Sequence, residues 1–191
     1  MPNRTQRLNQ WIVIVALGLV ATGFASPGPA ANRPMEDSAE RSALHIKLVS
    51  GFDLDGNQFQ GSSLEGKIVL LDFWAVWCGP CLAAFPALNR LSQDFKHRNF
   101  EIIGIASYSG TRADVQEVVE QYNVGYTIIL GEISLIKKFG VIGLPTYFLM
   151  GPDGTVARKY VGEVKDLYER ITADIGVILN SAEPLPGAGN E

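Results

Sequence analysis

From Leu44 to about residue 180 the chain alternates short apolar runs with segments whose apolar residues recur at helical spacing. Ile68 to Trp74 is an apolar run broken by one charge, Asp72, and it reads as a buried strand. Leu82, Phe85, Leu88 and Leu91 then recur at three-residue steps, close enough to the helical period to give one apolar stripe ending near His97-Arg98-Asn99. Pro86 falls inside that helix and predicts a kink, because proline removes a backbone donor and crowds the preceding turn. Phe100 to Ala106 predicts a second buried strand. Thr111 or Asp114 caps the helix after it, whose stripe is Val115, Val118, Val119 and Tyr122. Tyr126 to Leu130 predicts a strand, Ile133 to Phe139 a short helix stopped by Gly140, and Tyr147 to Met150 another strand. Gly151-Pro-Asp-Gly154 is a tight turn into Thr155 to Val161, and Val164 to Leu179 carries the last helical stripe. Ahead of the central strand, His45 to Val49 alternates weakly as an edge strand, and Asp53 to Asn57 marks a hairpin whose returning strand is Gln58 to Gln60. Regular strand–helix alternation predicts an α/β layer with a largely parallel centre.

The two ends read differently. Arg4 and Arg7 precede an almost wholly apolar stretch from Trp11 to Ala25, the pattern of an export segment, either a cleaved signal peptide or a retained anchor. The basic flank keeps the N-terminus in the cytoplasm and sends the rest outward, to the periplasm or the outer membrane face. Residues 26–43 are rich in proline and small residues and form a linker; 44–180 form one domain; 181–191 are a disordered Pro/Gly-rich tail. A net charge of −4 with no basic stripe excludes nucleic acid as a partner.

The chemistry concentrates in Cys78-Gly79-Pro80-Cys81, which holds both cysteines of the chain. A zinc site needs a second ligand pair, and only the distant His45 and His97 are available; a c-type haem site needs His where Leu82 stands. Neither a metal nor another cofactor is expected. At a strand-to-helix junction the first thiol meets free N–H groups and the positive end of the helix dipole, which favours thiolate. The second cysteine lies one turn further on, close enough to close a disulfide. That is the layout of a thiol–disulfide exchange centre.

The longer stretch Asp72-Phe-Trp-Ala-Val-Trp-Cys-Gly-Pro-Cys81 resembles the thioredoxin family closely. The resemblance implies a thioredoxin fold, a mixed central sheet flanked by helices. It implies that Cys78 attacks the target disulfide while the less accessible Cys81 resolves the mixed disulfide, and that Asp72 takes the Cys81 proton through water. Gly-Leu144-Pro145-Thr146 resembles the cis-proline loop that faces the CxxC, so Leu144, Pro145 and Thr146 are expected to hold substrate chains in strand fashion alongside Trp77, Gly79 and Pro80. Trp77 belongs to an apolar platform beside the thiol, whereas Trp74 packs inside. The N-terminal hairpin and the strand–helix insertion over 100–130 resemble the exported TlpA/ResA branch, which implies protein dithiol clients and a membrane-embedded thiol carrier as electron donor. Two positions depart from that branch. It commonly has Asn where Asp72 stands, and Glu where Ala84 stands. Reduction of protein disulfides is therefore the main expectation, and cytochrome c maturation the narrower one. A peroxiredoxin-like peroxidase is the alternative, suggested by the insertion; it would need Thr three residues before the reactive cysteine, where Ala75 stands.

Overall fold

A computed structural model describes residues 43–182. The export segment, nearly all of the linker, and the tail from residue 183 lie outside the described residues. Two strands, β1 (Ser50–Phe52) and β2 (Gln58–Gln60), form a small antiparallel hairpin. The main elements follow: β3 (Ile68–Trp74), α1 (Gly79–Phe95), β4 (Phe100–Ser107), α2 (Arg112–Gln121), β5 (Thr127–Gly131), α3 (Ile133–Lys138), β6 (Thr146–Met150), β7 (Val156–Val161) and α4 (Leu167–Ala182). The five-stranded sheet has the order β5-β4-β3-β6-β7. β3 pairs in parallel with β4 and antiparallel with β6, so the sheet is mixed and β3 is central.

Every residue of β3 is buried, because both faces of the sheet are covered. Ile68, Leu70 and Trp74 join Phe85, Leu88, Leu91, Val115, Ile171 and Ile175 in one core, beneath α1, α2 and α4. Val69, Leu71 and Phe73 join Ile46, Val49, Leu135, Ile136, Phe139 and Phe148 in a second core on the other face, under α3 and the N-terminal turns. The strand period of two assigns these residues to alternate sides.

Three elements differ from the sequence expectation. His45–Val49 is not an edge strand: Ile46–Leu48 is a 3-10 turn, with His45 retaining a single bridge to Thr155. Its two buried residues, Ile46 and Val49, are three apart, and the His45 ring accepts a hydrogen bond from the Lys47 N–H. A three-residue period over so short a stretch resembles a weak alternation. The last helix begins at Leu167 rather than Val164, because Gly162 and Asp166 take positive φ values of 79° and 54° and keep the chain in a loop. It also runs past residue 180 to Ala182, into the stretch read as tail. β5 starts at Thr127, which leaves Tyr126 at the strand's mouth. The helix over Pro86 is continuous from Gly79 to Phe95, and Thr111 and Asp114 share the start of α2 in a capping box.

Candidate functional site

Cys78 and Cys81 form a disulfide with their Cα atoms 5.3 Å apart. Cys78 is the N-cap of α1, and its sulfur accepts a hydrogen bond from the Cys81 N–H at 3.3 Å. The Cys78 sulfur thus occupies the place of an N-cap oxygen, among the free N–H groups of the first turn. Pro80 stands in that first turn, where its missing N–H costs nothing. Both cysteines are largely covered in the disulfide form, Cys78 at 5 % exposure and Cys81 at 2 %. The difference between them is small, so the accessibility expected of Cys78 is not yet a feature of this oxidised form. Gly79 and Pro80 are exposed beside them.

Trp77 is 66 % exposed, and its indole N–H donates to the Tyr108 carbonyl at 2.9 Å. That bond fixes a large apolar ring in the open next to the disulfide. Tyr108 itself holds a left-handed φ of 52°, and the next residue, Ser109, accepts from the Val76 N–H at 3.2 Å. The β4–α2 loop therefore braces the CxxC approach from two sides. Trp74, by contrast, is fully buried with its ring edge-on to Phe85 at 5.0 Å.

The Leu144–Pro145 peptide is cis. Leu144 is half-buried and packs against both cores, one of which contains the two cysteines. The Thr146 hydroxyl donates to the Gly143 carbonyl at 2.7 Å, closing the loop on itself. The residues expected to receive a client thus come together at one end of the sheet, on two loops and the start of α1.

Asp72 lies on the α1 side of β3, on the face shared by Leu70 and Trp74, and is almost completely buried. Burial pushes its carboxyl up to about 7, only partly countered by a hydrogen bond from Tyr126. The Tyr126 hydroxyl donates to Oδ2 at 3.3 Å, while Oδ1 has no partner among the described residues. Asp72 also faces Tyr147 directly across the β3–β6 ladder. Burial and then the Asp72 charge push the Tyr147 phenol above its ordinary range, so it stays neutral.

Sequence reasoning found Asp72 and missed both tyrosines. The signal for Tyr126 was present in β4. Gly104 pairs with Asp72 across the β3–β4 ladder, and a Cβ there would lie 2.3 Å from Ile128 Cδ1 and 3.2 Å from both Tyr126 Cε2 and Trp74 Nε1. The missing side chain leaves room for Ile128 first, and for the Trp74 and Tyr126 rings beside the carboxylate. A glycine inside an otherwise bulky strand marks such a close approach.

The AhpC/TSA family model matches residues 39–159. The chain is 38 % identical over 114 residues to the thiol-disulfide oxidoreductase ResA of Bacillus thuringiensis subsp. konkukian, covering 58 % of this chain and 64 % of that one. It is 30 % identical over 115 residues to the ResA of Bacillus subtilis, covering 60 % and 64 %. The match thus spans just under two thirds of those relatives' length. Among solved structures, the DsbF protein of Mycobacterium tuberculosis superposes with a TM-score of 0.60 at 30 % identity, over 68 % of this chain and 96 % of that one. A thioredoxin-family thiol:disulfide interchange protein of Chlorobium tepidum gives 0.59 at 27 %, over 70 % and 92 %. The thioredoxin fold expected from the sequence is the fold observed.

Proposed function

The chain belongs to the AhpC/TSA family, and from that premise we propose that it is an exported thiol–disulfide oxidoreductase that reduces disulfides in client proteins. The observation that carries the reading is the Cys78 sulfur at the N-cap of α1, joined to Cys81 just after a strand that carries a buried carboxyl. The proteins named ResA, which share the CxxC segment, support it.

In the reduced protein the Cys78 thiolate attacks one sulfur of a client disulfide. A bond forms between Cys78 and that sulfur, the client S–S bond breaks, and the other client sulfur leaves as a thiolate that takes up a proton. Cys81 then passes its proton towards Asp72 and attacks the Cys78 sulfur, releasing the client. Two electrons move from the dithiol to the client, and the Cys78–Cys81 disulfide is restored. With a carboxyl near 7, Asp72 is close to balanced between accepting and releasing a proton at neutral pH. Gly79 and Pro80 put neither a histidine nor a cation between the cysteines to stabilise the thiolate further. This favours a reductant over a strong oxidant, whose potential comes from an over-stabilised reduced form.

Clients are extended chains received between the Trp77 platform and the Leu144-Pro145-Thr146 loop. Recharging falls to a membrane-embedded thiol carrier, and the basic, then apolar N-terminal segment supports placement on the outer side of the membrane. Cytochrome c maturation is the narrower version of this role. The peroxidase alternative is disfavoured by Ala75, which leaves no hydroxyl at that position, and by a resolving cysteine within the same turn of helix.

The test is trapping. Cys81→Ser should accumulate clients as mixed disulfides, and Cys78→Ser almost none, alongside insulin reduction by the wild type without peroxide consumption. Equal trapping by the two variants overturns the assignment of roles, and peroxide consumption overturns the reaction class.

A further inference from the structure

Asp72 takes a proton each time Cys81 becomes a thiolate, and it must release that proton before the next turnover. It is sealed from solvent on its own strand. A small cavity of about 190 Å³ lies between α1, β6 and the loop into α4, and it touches neither cysteine. Pro80, Ala84 and Ala87 form its helix wall, Tyr147 its sheet wall, and Glu163 and Val164 its loop wall. Tyr147 is therefore shared: it faces Asp72 across the β3–β6 ladder, and it borders the cavity. The alanine methyls leave the space open. Glu163 is exposed and is the one carboxylate lining the cavity.

We propose that this cavity is the proton exit of the redox site, with Glu163 passing protons between bulk water and the buried Asp72 by way of cavity water and the Tyr147 hydroxyl. A phenol kept neutral both donates and accepts, so it hands a proton on without holding a charge. The unpartnered Asp72 Oδ1 supplies the free acceptor at the inner end. The volume holds several waters, each occupying roughly 30 Å³ in the liquid. The titratable groups involved are few. Tyr126 and Tyr147 face Asp72, and Glu163 and Tyr147 border the cavity. Glu163 is a positioning residue here, acting on the chemistry only through Asp72.

The inference rests on the role given to Asp72 above, yet its test needs no client. After a rapid pH jump across 7, protonation of Asp72 in the oxidised full-length protein is followed by the infrared band of its buried carboxylic acid, assigned by its loss in Asp72→Asn. Glu163→Gln should slow the band's rise about three- to tenfold and leave its midpoint pH in place. Ala84→Leu, which fills the cavity, should slow it as well; Ala87→Val serves if that variant does not fold. Added acetate should restore the rate in Glu163→Gln but not in the filled variant. A wild-type rate in both variants overturns the proposal, as does rescue of both by acetate. Failure of the trapping experiment with this kinetic pattern intact would instead fault the reductase reading.

Discussion

The two faces of the sheet are built from the same strands and obey different rules. On the α3 side, Phe73, Phe139 and Phe148 form a closed triad of tilted and edge-on rings with centroids 5.2–5.7 Å apart. Lys159 lies over the Phe148 ring at 5.1 Å, and no buried polar side-chain atom on that face lacks a partner among the described residues. The α1 side carries Asp72 Oδ1 and Trp74 Nε1, both buried and without a partner among the described residues, together with the disulfide and the cavity. Buried polar groups without partners cost stability. One face thus supplies the stability that the other gives up for chemistry.

The sharpest way to break this contrast is to damage the stable face. Phe148→Ala should lower unfolding free energy by about 3–5 kcal/mol, as large-to-small aromatic changes in a core do. Its denaturation curves at pH 5 and pH 8 should shift together. A pH-dependent loss would mean that the faces are not independent.

Asp72→Asn should act in the opposite direction. The folded carboxyl titrates near 7 against 3.8 for an ordinary aspartate, so between those values the folded state holds a proton that the unfolded chain has lost. The contribution is favourable below about pH 4 and is lost as pH rises through 7. About three pH units at 1.36 kcal/mol each give on the order of 4 kcal/mol. Asp72→Asn should therefore flatten the stability profile over that window and stabilise the protein at pH 8 by about 2–4 kcal/mol, while slowing Cys81 resolution. A profile as steep as the wild type's would place the titrating group elsewhere.

The smallest stability effect belongs to the rim. Trp77→Ala should change stability by no more than about 0.5 kcal/mol, since the ring is mostly in solvent. Its reduction of protein disulfides should nevertheless weaken several-fold relative to a small dithiol-reactive reagent. Equal losses on both substrates would reduce Trp77 to a structural residue.

What was legible in the sequence was whatever local spacing or a contiguous motif encodes. The strand-to-helix junction at Cys78, the Thr111 cap, the β1–β2 hairpin and the proline loop at 145 all follow from residues within a few positions of one another. Asp72 stood out as a charge in an apolar run. Tyr126 and Tyr147 did not, because they meet Asp72 through strand pairing and a glycine gap that no local pattern expresses. The cavity was hidden for the same reason: its walls come from sequence segments around 84, 147 and 163. The turn at Ile46–Leu48 is not legible because five residues cannot separate a period of two from a period of three.

Synthesis gives the sheet an order in time. β3 lies between β4, which begins at Phe100, and β6, which begins only at Thr146. A chain lengthening from its N-terminus therefore carries its central strand with one flank open until nearly the whole domain has been made. The cover of the α1 side is completed later still, by α4. Contacts between such distant segments form slowly, because a long loop must close before any of them is gained. No leading portion of this domain has a finished interior of its own, so the sulfur pair near its middle is enclosed only once the last helix has been made.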